Sequence, residues 1–340
     1  MTKYFIPLNL QLFTQTQTTL LNTAGNDLSP EMKTFYVKEL IKHAQPNLVH
    51  DQFAMKKDIP AHGGKDIEFR RFTPLGKATT ALVEGVTPVG NKLDVTAITS
   101  RVAQYGDFIQ ISDMLDVTAI DNVLVETTSI LGSQAGRTLD TITREVITAG
   151  TNVMYAPKVA GGTETPVLLR TNLDATAKLT PKVVRKAAAL LKRQNAPTIK
   201  GYYVAIIHPD ISYDIQNDPE WQEAHKYASP EEIYEGELGR IGKVRFIEST
   251  EAKIILNAGQ GGSAVYCTMV LGNQAYGTTS IDGLGLDFIV KQRGSAGTAD
   301  PLNQRSSSGW KAAKTAERLV EQYMVRIEHS SELQDSAIAN

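Results

Sequence analysis

The chain has 340 residues, 41% of them hydrophobic and 21% charged, as expected of a folded globular protein with about two domains. Its 35 Lys and Arg residues nearly balance 37 Asp and Glu residues, and the net charge of −2 excludes a strongly basic nucleic-acid-binding protein. The sequence has no apolar run of about 18 residues, so it predicts no transmembrane helix, and residues 1–10 lack the long hydrophobic region of a signal peptide.

Residues 1–28 predict an extended arm, because they are rich in Thr, Gln and Asn and show no helical or strand periodicity. Ordering such an arm costs roughly 1–2 kcal/mol per residue, so we expect it to be ordered only on another surface, its own or a neighbour's. A helix is then predicted to begin at Ser29-Pro30-Glu31 and to end at Pro46. Its apolar residues recur at 3–4 spacing: Met32, Phe35, Tyr36, Leu40, Ile41 and Ala44.

Residues 57–112 are predicted to be mostly β. Residues 66–72 alternate polar and apolar side chains, apart from the paired Arg70 and Arg71, as a half-buried or edge strand does. Strand-like runs follow at residues 93–98 and 108–111, and the segment 73–92 carries the prolines and glycines of a flexible tip. A two-stranded ribbon is marginal alone, so we expect this excursion to lean on something outside its own domain.

The rest of the chain alternates predicted helices and strands. A long helix is predicted from Asp121 to Gly150, and a second helix begins at Thr180-Pro181 and ends before Pro197. The continuous apolar run of residues 202–207 predicts a central strand. Further strand-like runs lie at residues 243–248, 264–271, 286–292 and 323–328, and loops are predicted at 151–172 and 295–309.

Cys267 is the only cysteine, which excludes an internal disulfide and every CxxC metal or redox motif. It lies in the apolar run of residues 264–271, and this setting predicts a buried, unreactive thiol. The chain also has no Asn-X-Ser/Thr sequon. Both features suit a cytosolic product.

No pattern of catalytic residues stands out. The six histidines lack metal-ligand or triad spacing, although His208 follows a predicted strand and precedes Asp210, so a hydrolase using this pair stays an alternative to a satisfied turn. Residues 259–264 fit a loose GxGxxA pattern, but they precede a strand where a dinucleotide site requires a helix. Asp282 and Asp287 lack the spacing of a calcium loop. We therefore predict no catalytic, metal or cofactor site.

A basic helix face is the remaining chemical feature. It is formed in the predicted second helix by Arg185, Lys186, Lys192 and Arg193. Such a face could contact phosphate, but a solvated face is the default interpretation because carboxylates balance the whole chain.

The order of these parts resembles the major capsid proteins of tailed bacteriophages with the Hong Kong 97 fold, and more closely the N-four-like phage coat family. The resemblance covers essentially the whole chain, and its motifs are weak singly but fairly specific together and in order. They are Asn9-Leu10-Gln11-Leu12-Phe13, the helix with Phe35, Tyr36 and Leu40, residues 67–75 and 81–88, Tyr105-Gly106-Asp107-Phe108, the helix from Asp121, His208-Pro209-Asp210 and Gly309-Trp310-Lys311.

The resemblance implies an α+β fold of the Hong Kong 97 type and a division of the chain into six segments. In chain order these are the N-terminal arm (1–28), the first helix and connection (29–56), the extended β-hairpin loop (57–112), the peripheral domain with its long spine helix (113–175), the axial domain (176–308), and the return to the peripheral domain with the C-terminus (309–340).

The resemblance also implies a function and partners. The chain would be a non-enzymatic shell subunit, made in the bacterial cytoplasm and found in the virion, whose extended loop lies across a neighbouring subunit. Its partners would be further copies in hexamers and pentamers, a portal protein, possible decoration proteins, and packaged double-stranded DNA through weak non-specific contact, with no membrane. Because relatives with a built-in scaffolding segment have a longer N-terminal region, a separate scaffolding protein is expected.

Individual contact residues follow from the same expectation. Lys77 is a candidate for a covalent cross-link in the extended loop, and a tail or tube protein is a further alternative to a shell subunit. Inter-subunit contacts are expected from Leu12, Phe13, Arg70, Arg71, Leu82, Val83 and Glu84.

Overall fold

The computed structural model describes residues 38–44, 48–60, 62–73, 75–82, 84–87, 90–118, 123–225, 239–281, 284–295, 300–338 and 340. The predicted arm and the predicted start of the first helix therefore lie outside the described residues. The chain divides into two compact units. The first unit comprises residues 1–46, 105–136 and 285–312, and the second comprises residues 47–104, 137–284 and 313–340.

Six α-helices are described, beside several short 3-10 turns. They are residues 38–44 (α1), Asp113–Thr118 (α2), Val123–Thr148 (α3), Pro181–Arg193 (α4), Pro209–Gln216 (α5) and Pro219–His225 (α6). None of these helices is long and apolar enough to cross a lipid bilayer. The first half of α3 belongs to the first unit and its second half to the second unit.

The described strands are mostly short. They are Met55–Lys56 (β1), Asp66–Phe72 (β2), Val95–Arg101 (β3), Ala103–Ser112 (β4), Val153–Tyr155 (β5), Lys158–Ala160 (β6), Thr163–Thr165 (β7), Tyr203–Ile207 (β8), Arg240–Ile241 (β9), Val244–Glu248 (β10), Ile254–Ile255 (β11), Val265–Leu271 (β12), Tyr276–Thr279 (β13), Asp287–Lys291 (β14), Arg305–Arg318 (β15) and Met324–His329 (β16).

The second unit is built on a seven-stranded sheet in the order β5-β16-β12-β8-β10-β9, with β11 paired to β12. All five residues of β8 are buried, which suits its central position in the sheet. Helices α4, α5 and α6 bury their apolar residues on one face, where Val184, Ile211 and Trp221 join one hydrophobic cluster. Ile147 of α3 joins a second cluster with Val204 and Ile206 of β8, so β8 faces apolar side chains on both sides.

A buried ionic cluster ties β16 to the end of α3. Glu328 is fully buried and accepts two hydrogen bonds from Arg170, at 2.6 and 2.7 Å, which raise the pKa of the guanidinium. Arg326 also donates to Glu328 (2.8 Å) and to the backbone carbonyls of Thr148 and Gly150. These carbonyls have no partner within the helix, and a cation there complements the negative end of the helix dipole.

The first unit packs α1 directly onto α3, and pairs β14 and most of β4 with the first half of β15. Gly132 permits the helix contact, because a Cβ at this position would lie 2.7 Å from the carbonyl oxygen of Leu40. Gln134 joins the helix to both strands, since it donates to Asp107 (2.6 Å) and accepts from the indole of Trp310 (3.2 Å). The hydrogen bond from Gln134 lowers the pKa of the Asp107 carboxyl.

Most predicted elements are confirmed, including the long helix, the second helix, the central strand and the buried Cys267, whose pKa burial raises to about 12. Two loop predictions are wrong in part. Residues 151–172 contain the short strands β5, β6 and β7, and residues 295–309 include the first part of β15. The six-segment division is not tested by these elements and stays a prediction.

His329 is fully buried in β16. Its Nδ1 donates to the carbonyl oxygen of Ser330 (3.2 Å), and its Nε2 accepts from the hydroxyl of Thr268 (2.8 Å), so a neutral ring satisfies both partners. Burial disfavours the imidazolium and lowers the pKa of His329 to about 4.

This lowered pKa predicts a loss of stability in mild acid. Between pH 6.5 and pH 4 the unfolded chain binds a proton at His329 that the folded chain excludes, so the free energy of unfolding falls as the pH falls. We expect a loss of about 2 kcal/mol between pH 7.5 and pH 5, measured by urea unfolding. His329→Gln should flatten this dependence, and His62→Gln, at an exposed loop residue, should leave it unchanged. An unchanged pH dependence in His329→Gln would contradict the assignment.

Candidate functional site on an exposed two-stranded ribbon

Strands β2 and β3 form a separate antiparallel ribbon of seven residue pairs, from Asp66 opposite Arg101 to Phe72 opposite Val95. We call residues 66–101 the ribbon. It is shorter than the predicted excursion of residues 57–112, because β4 pairs with β15 instead. At about 3.3 Å per residue the paired part extends roughly 23 Å, and the connecting residues 73–94 continue from its far end.

The base of the ribbon is packed within the second unit. Ile67 and Phe69 are buried in one cluster with Ile59 and Ala313. Phe69 packs closely on Gly277, where an added Cβ would lie 2.9 Å from the aromatic ring. Polar contacts hold strand β3 and the segment that precedes β2. The hydroxyls of Ser100 in β3 and Thr315 lie 2.8 Å apart, and Lys57 donates to the carbonyl oxygen of Glu68 (2.9 Å).

The outer part of the ribbon has no such support. Every described residue from Phe72 to Ala97 is exposed, and we call this part the ribbon tip. Its large apolar side chains are exposed by 43% to 78%, so they bury little area within this subunit. They are Phe72, Leu75, Leu82, Val86, Leu93 and Val95.

Five of the predicted contact residues fall within the ribbon, and the structure describes four of them. Leu82 is 78% exposed and Glu84 is exposed, as a contact residue requires. Arg70 is exposed and donates to Glu68 (2.7 Å), which raises the pKa of its guanidinium, whereas Arg71 is half-buried. The predictions at Val83, Leu12 and Phe13 lie outside the described residues.

Sequence reasoning missed most of the exposed apolar side chains on the tip, naming only Leu82 of the six. The available signal was the occurrence of large apolar residues in a segment rich in Pro and Gly, where no core is expected. Lys77, the predicted cross-link candidate, is exposed on the same segment.

A buried polar cluster holds the chain that leads into the ribbon. His50 is 1% exposed, and Asp140 of α3 accepts from its backbone amide (2.7 Å) and lies 2.6 Å from its Nδ1. Asp51 accepts from Thr143 of α3 (2.6 Å) and from the buried Lys314 of β15. These contacts join segment 50–51 to both α3 and β15. We call His50, Asp51, Asp140, Thr143 and Lys314 the ionic anchor.

Further contacts of Lys314 and Tyr276 support the ionic anchor. Lys314 also donates to the carbonyl oxygen of Leu139 (2.8 Å), and Tyr276 donates to the carbonyl oxygen of His50. Burial lowers the pKa of Lys314, and the neighbouring Asp51 opposes this shift. Burial also holds the pKa of Tyr276 well above its ordinary value, so its hydroxyl stays a donor.

The predicted alternative site at His208 and Asp210 is occupied by structural contacts. The Nδ1 of His208 accepts from the amide of Asp210 (3.2 Å) and caps α5. The carboxylate of Asp210 accepts from Tyr266 (2.6 Å), whose pKa is raised by burial and by this carboxylate. Burial lowers the pKa of His208 itself. The pair therefore stabilises the beginning of a helix, and nothing in its geometry positions a nucleophile.

The remaining sequence candidates behave as expected of structural features. The glycine-rich segment forms a turn at Gln260–Gly262 that leads into β12, as predicted for a strand connection. Asp282 lies outside the described residues. Within the described ranges, no three His, Cys, Asp or Glu side chains gather as a metal site would require.

Comparison with known proteins identifies the family. A family model described as phage capsid protein matches residues 95–302, which is more than half of the chain. The chain belongs to the phage capsid protein family. No curated protein sequence matches this capsid chain significantly.

Solved structures agree with the family assignment. The capsid of cyanophage Pam1 matches with a TM-score of 0.63 at 16% identity, over 94% of this chain and 98% of that chain. The capsids of cyanophage P-SCSP1u and of Ralstonia phage GP4 each match with a TM-score of 0.62 at 13% identity, over 82% of this chain and 87% of theirs. At these identities the likeness shows the fold, which is the predicted Hong Kong 97 type.

The family and the fold together decide between the alternatives left open by the sequence. The capsid chain is a major capsid protein of a tailed phage, a structural subunit of the head shell in the virion, and it is not an enzyme. Neither a hydrolase at His208 nor a tail or tube protein is retained. Self-association into a shell follows from the same findings.

The ionic anchor generates a prediction about stability. Asp51→Asn leaves the buried Lys314 without its ion pair, and Lys314→Met leaves the half-buried Asp51 without its cation, so each substitution should lower the free energy of unfolding by about 3 kcal/mol. The double variant should cost less than the sum by at least about 1 kcal/mol, because it leaves no unpaired charge. Urea unfolding of the four chains measures the coupling.

A matched control is available on the surface. Lys182→Met breaks the exposed pair that Lys182 forms with Glu164 (2.8 Å) and should cost less than about 1 kcal/mol. Additive effects of Asp51→Asn and Lys314→Met, or losses no larger than that of the control, would show that the anchor is not energetically coupled.

Proposed function

We propose that the capsid chain builds the shell by laying the ribbon tip on a neighbouring copy of itself. The observation that supports this proposal is the exposure of every described residue from Phe72 to Ala97, six of which carry large apolar side chains. Fully burying one such side chain contributes about 1.5–3 kcal/mol of favourable free energy. The tip can therefore stabilise an interface with a neighbour by an amount that the isolated subunit does not gain.

The proposed contact is one of many weak ones. A standard protein interface removes about 1,600 Å² from water, more than a narrow ribbon tip supplies alone. Each subunit of a closed shell is held by several neighbours at once, so contacts that are weak singly add through multivalency. Leu82 and Glu84 on the tip and Arg70 near it are proposed to supply apolar and polar contacts of this kind.

The segments outside the ribbon are assigned by the family resemblance. We assign residues 113–175 and 309–340 to a peripheral domain and residues 176–308 to an axial domain that lies toward the centre of hexamers and pentamers. The arm of residues 1–28, with Leu12 and Phe13, is proposed as a second inter-subunit element.

Further partners are implied by the same resemblance. A scaffolding protein, a portal protein and decoration proteins are proposed as protein partners, and double-stranded DNA as the enclosed cargo. Synthesis in the cytoplasm of a bacterial host belongs to this proposal.

Deletion of residues 75–90 tests the ribbon directly. Because the base is packed against Ile59 and Ala313, the shortened chain should fold with an unchanged melting temperature. It should fail to form closed shells when expressed with the scaffolding protein and viewed by negative-stain electron microscopy. Normal shells from the deleted chain would refute the role of the tip. Tubes or open rings from the intact chain would contradict closed-shell assembly.

Point substitutions distinguish the loss of apolar contacts from the shortening of the loop that the deletion also causes. Phe72→Ser, Leu82→Ser and Val86→Ser together remove three exposed apolar side chains and should reduce shell yield at least about tenfold, since each lost burial weakens every repeated contact. The control is Thr79→Ala with Thr80→Ala, which changes exposed polar residues of the same segment and should assemble normally. Equal yields from both variants, measured by sedimentation, would exclude an apolar contact through the tip.

A further inference from the structure

Both polar atoms of the Asn340 side chain are held by hydrogen bonds within the second unit. Its Nδ2 donates to the backbone carbonyl oxygens of Thr250 (2.8 Å) and Ala252 (2.6 Å), and its Oδ1 accepts from the backbone amide of Ile254 (3.2 Å). The main-chain oxygen of Asn340 accepts from the guanidinium of Arg144 in α3 (2.9 Å). One residue thus makes four hydrogen bonds to chain positions that lie 86 to 196 residues away.

The partners of Asn340 are also held by contacts of their own. Ala252 donates to the carbonyl oxygen of Ser249 (3.1 Å) and closes a turn that follows β10. The carbonyl oxygen of Glu251, between the two acceptors of the asparagine, accepts from Arg144 (2.8 Å), which is 1% exposed. We call Arg144 and residues 250–254 the asparagine cradle. The position of its acceptors therefore does not depend on Asn340 alone.

The cradle matches a primary carboxamide better than a carboxylate. A carboxamide carries two N–H donors and one carbonyl acceptor, and the cradle offers two carbonyl oxygens and one amide N–H. The carboxylate of an aspartate would set an acceptor against the carbonyl oxygens of Thr250 and Ala252, so two attractive contacts would become repulsive. Arg144 does not reverse this preference, because Glu145 already pairs with its guanidinium (2.8 Å).

The residues just before Asn340 contribute little apolar contact. Ile338 is 80% exposed, and Ala337 adds only its methyl group to the edge of a hydrophobic cluster. Gln334–Ser336 forms one short 3-10 turn. Recognition of this segment therefore rests mainly on residue 340, and a short ligand that carries an asparagine has most of the features that the cradle reads.

We propose that the asparagine cradle is a peptide-binding site specific for a side-chain carboxamide, with the segment of Asn340 as its resident ligand. The occupied site joins α3 to the turn that follows β10. Because three of its four contacts come from the protein backbone, the site accepts the same peptide from outside the chain once the Asn340 side chain is removed. The proposal goes beyond assembly and does not depend on the ribbon.

A series of substitutions at residue 340 tests the specificity by urea unfolding of the full chain. Asn340→Asp keeps the size of the side chain but should raise the equilibrium constant for unfolding about tenfold or more, since it removes both donors. Asn340→Gln keeps both donors on a longer side chain and should fall between the wild type and Asn340→Asp. The matched control is Asn91→Asp, at an exposed residue of the ribbon tip, which adds the same charge and should leave the unfolding constant unchanged.

A peptide supplied in trans tests the site directly. The probe is a fluorescein-labelled peptide with the sequence of residues 335–340, Asp-Ser-Ala-Ile-Ala-Asn, titrated with the full Asn340→Ala chain and followed by fluorescence anisotropy. It should bind this chain at least about tenfold more tightly than the wild type, whose own asparagine occupies the cradle. A second peptide with Asp in place of the asparagine should bind at least about tenfold more weakly than the first.

Each measurement has an outcome that overturns the proposal. Equal affinities of the two peptides, or no binding of the asparagine peptide to the Asn340→Ala chain, would exclude a carboxamide-specific site. So would an Asn340→Asp chain that is no less stable than the Asn91→Asp chain, because a side chain that only fills space tolerates this exchange. Electron microscopy of the same proteins scores shell assembly separately, so peptide binding without shells would refute the assembly proposal alone.

Discussion

A two-stranded ribbon cannot bury both faces of its own side chains, and this constraint governs the rest of the capsid subunit. Ile67 and Phe69 at the base are buried among apolar partners in the second unit, whereas Phe72 and every described residue beyond it up to Ala97 are exposed. Such a ribbon is marginally stable in water, so its position must be set by the chain at its base. The buried contacts of the ribbon therefore lie at its base, and the exposed tip is the part that we propose to contact another subunit.

The base itself packs through apolar side chains, whereas the chain that leads into it is held largely by ionic contacts. Two pairs of ionisable side chains meet there: Lys314 with Asp51, and His50 with Asp140. The region is largely shielded from water, since His50 is only 1% exposed. Pairs of this kind add little net stability compared with apolar residues, but breaking one is costly, so they favour a single arrangement over its alternatives. We interpret the ionic anchor in this way: it fixes the register between segment 50–51, α3 and β15, and so fixes where the ribbon begins.

Sequence reasoning succeeded where one local period decides the outcome. The continuous apolar run of β8 and the 3–4 spacing of α3 and α4 predicted those elements within a few residues. It failed where partners lie far apart in the chain. Nothing local indicates that β4 pairs with β15 rather than extending the ribbon, or that β15 begins at Arg305 in a segment rich in Ser and Gly. The buried Lys314, Glu328 and His329 were missed for the same reason, since charged residues usually predict exposure.

The candidate site was predicted by position and only partly by residue. Leu82 and Glu84 were named and are exposed, but Phe72 and Leu93 were not named, because an apolar residue in a strand pattern is normally assigned to a core. Exposure of these side chains becomes visible only when the packing of the base is known.

An exposed apolar tip creates a risk that the subunit must survive before it assembles. No described strand pairs with the outer edges of the ribbon, and free strand edges invite uncontrolled pairing with other chains. Charged residues line the ribbon, with Arg70 paired to Glu68 at 2.7 Å and Arg101 lying 3.7 Å from Asp66. These charges oppose edge-to-edge pairing and leave the apolar tip as the attractive surface. Because each tip offers a few separated apolar side chains, we expect single contacts between free subunits to be weak. In the assembly that we propose, only an arrangement that satisfies many tips at once, such as a closed shell, becomes stable.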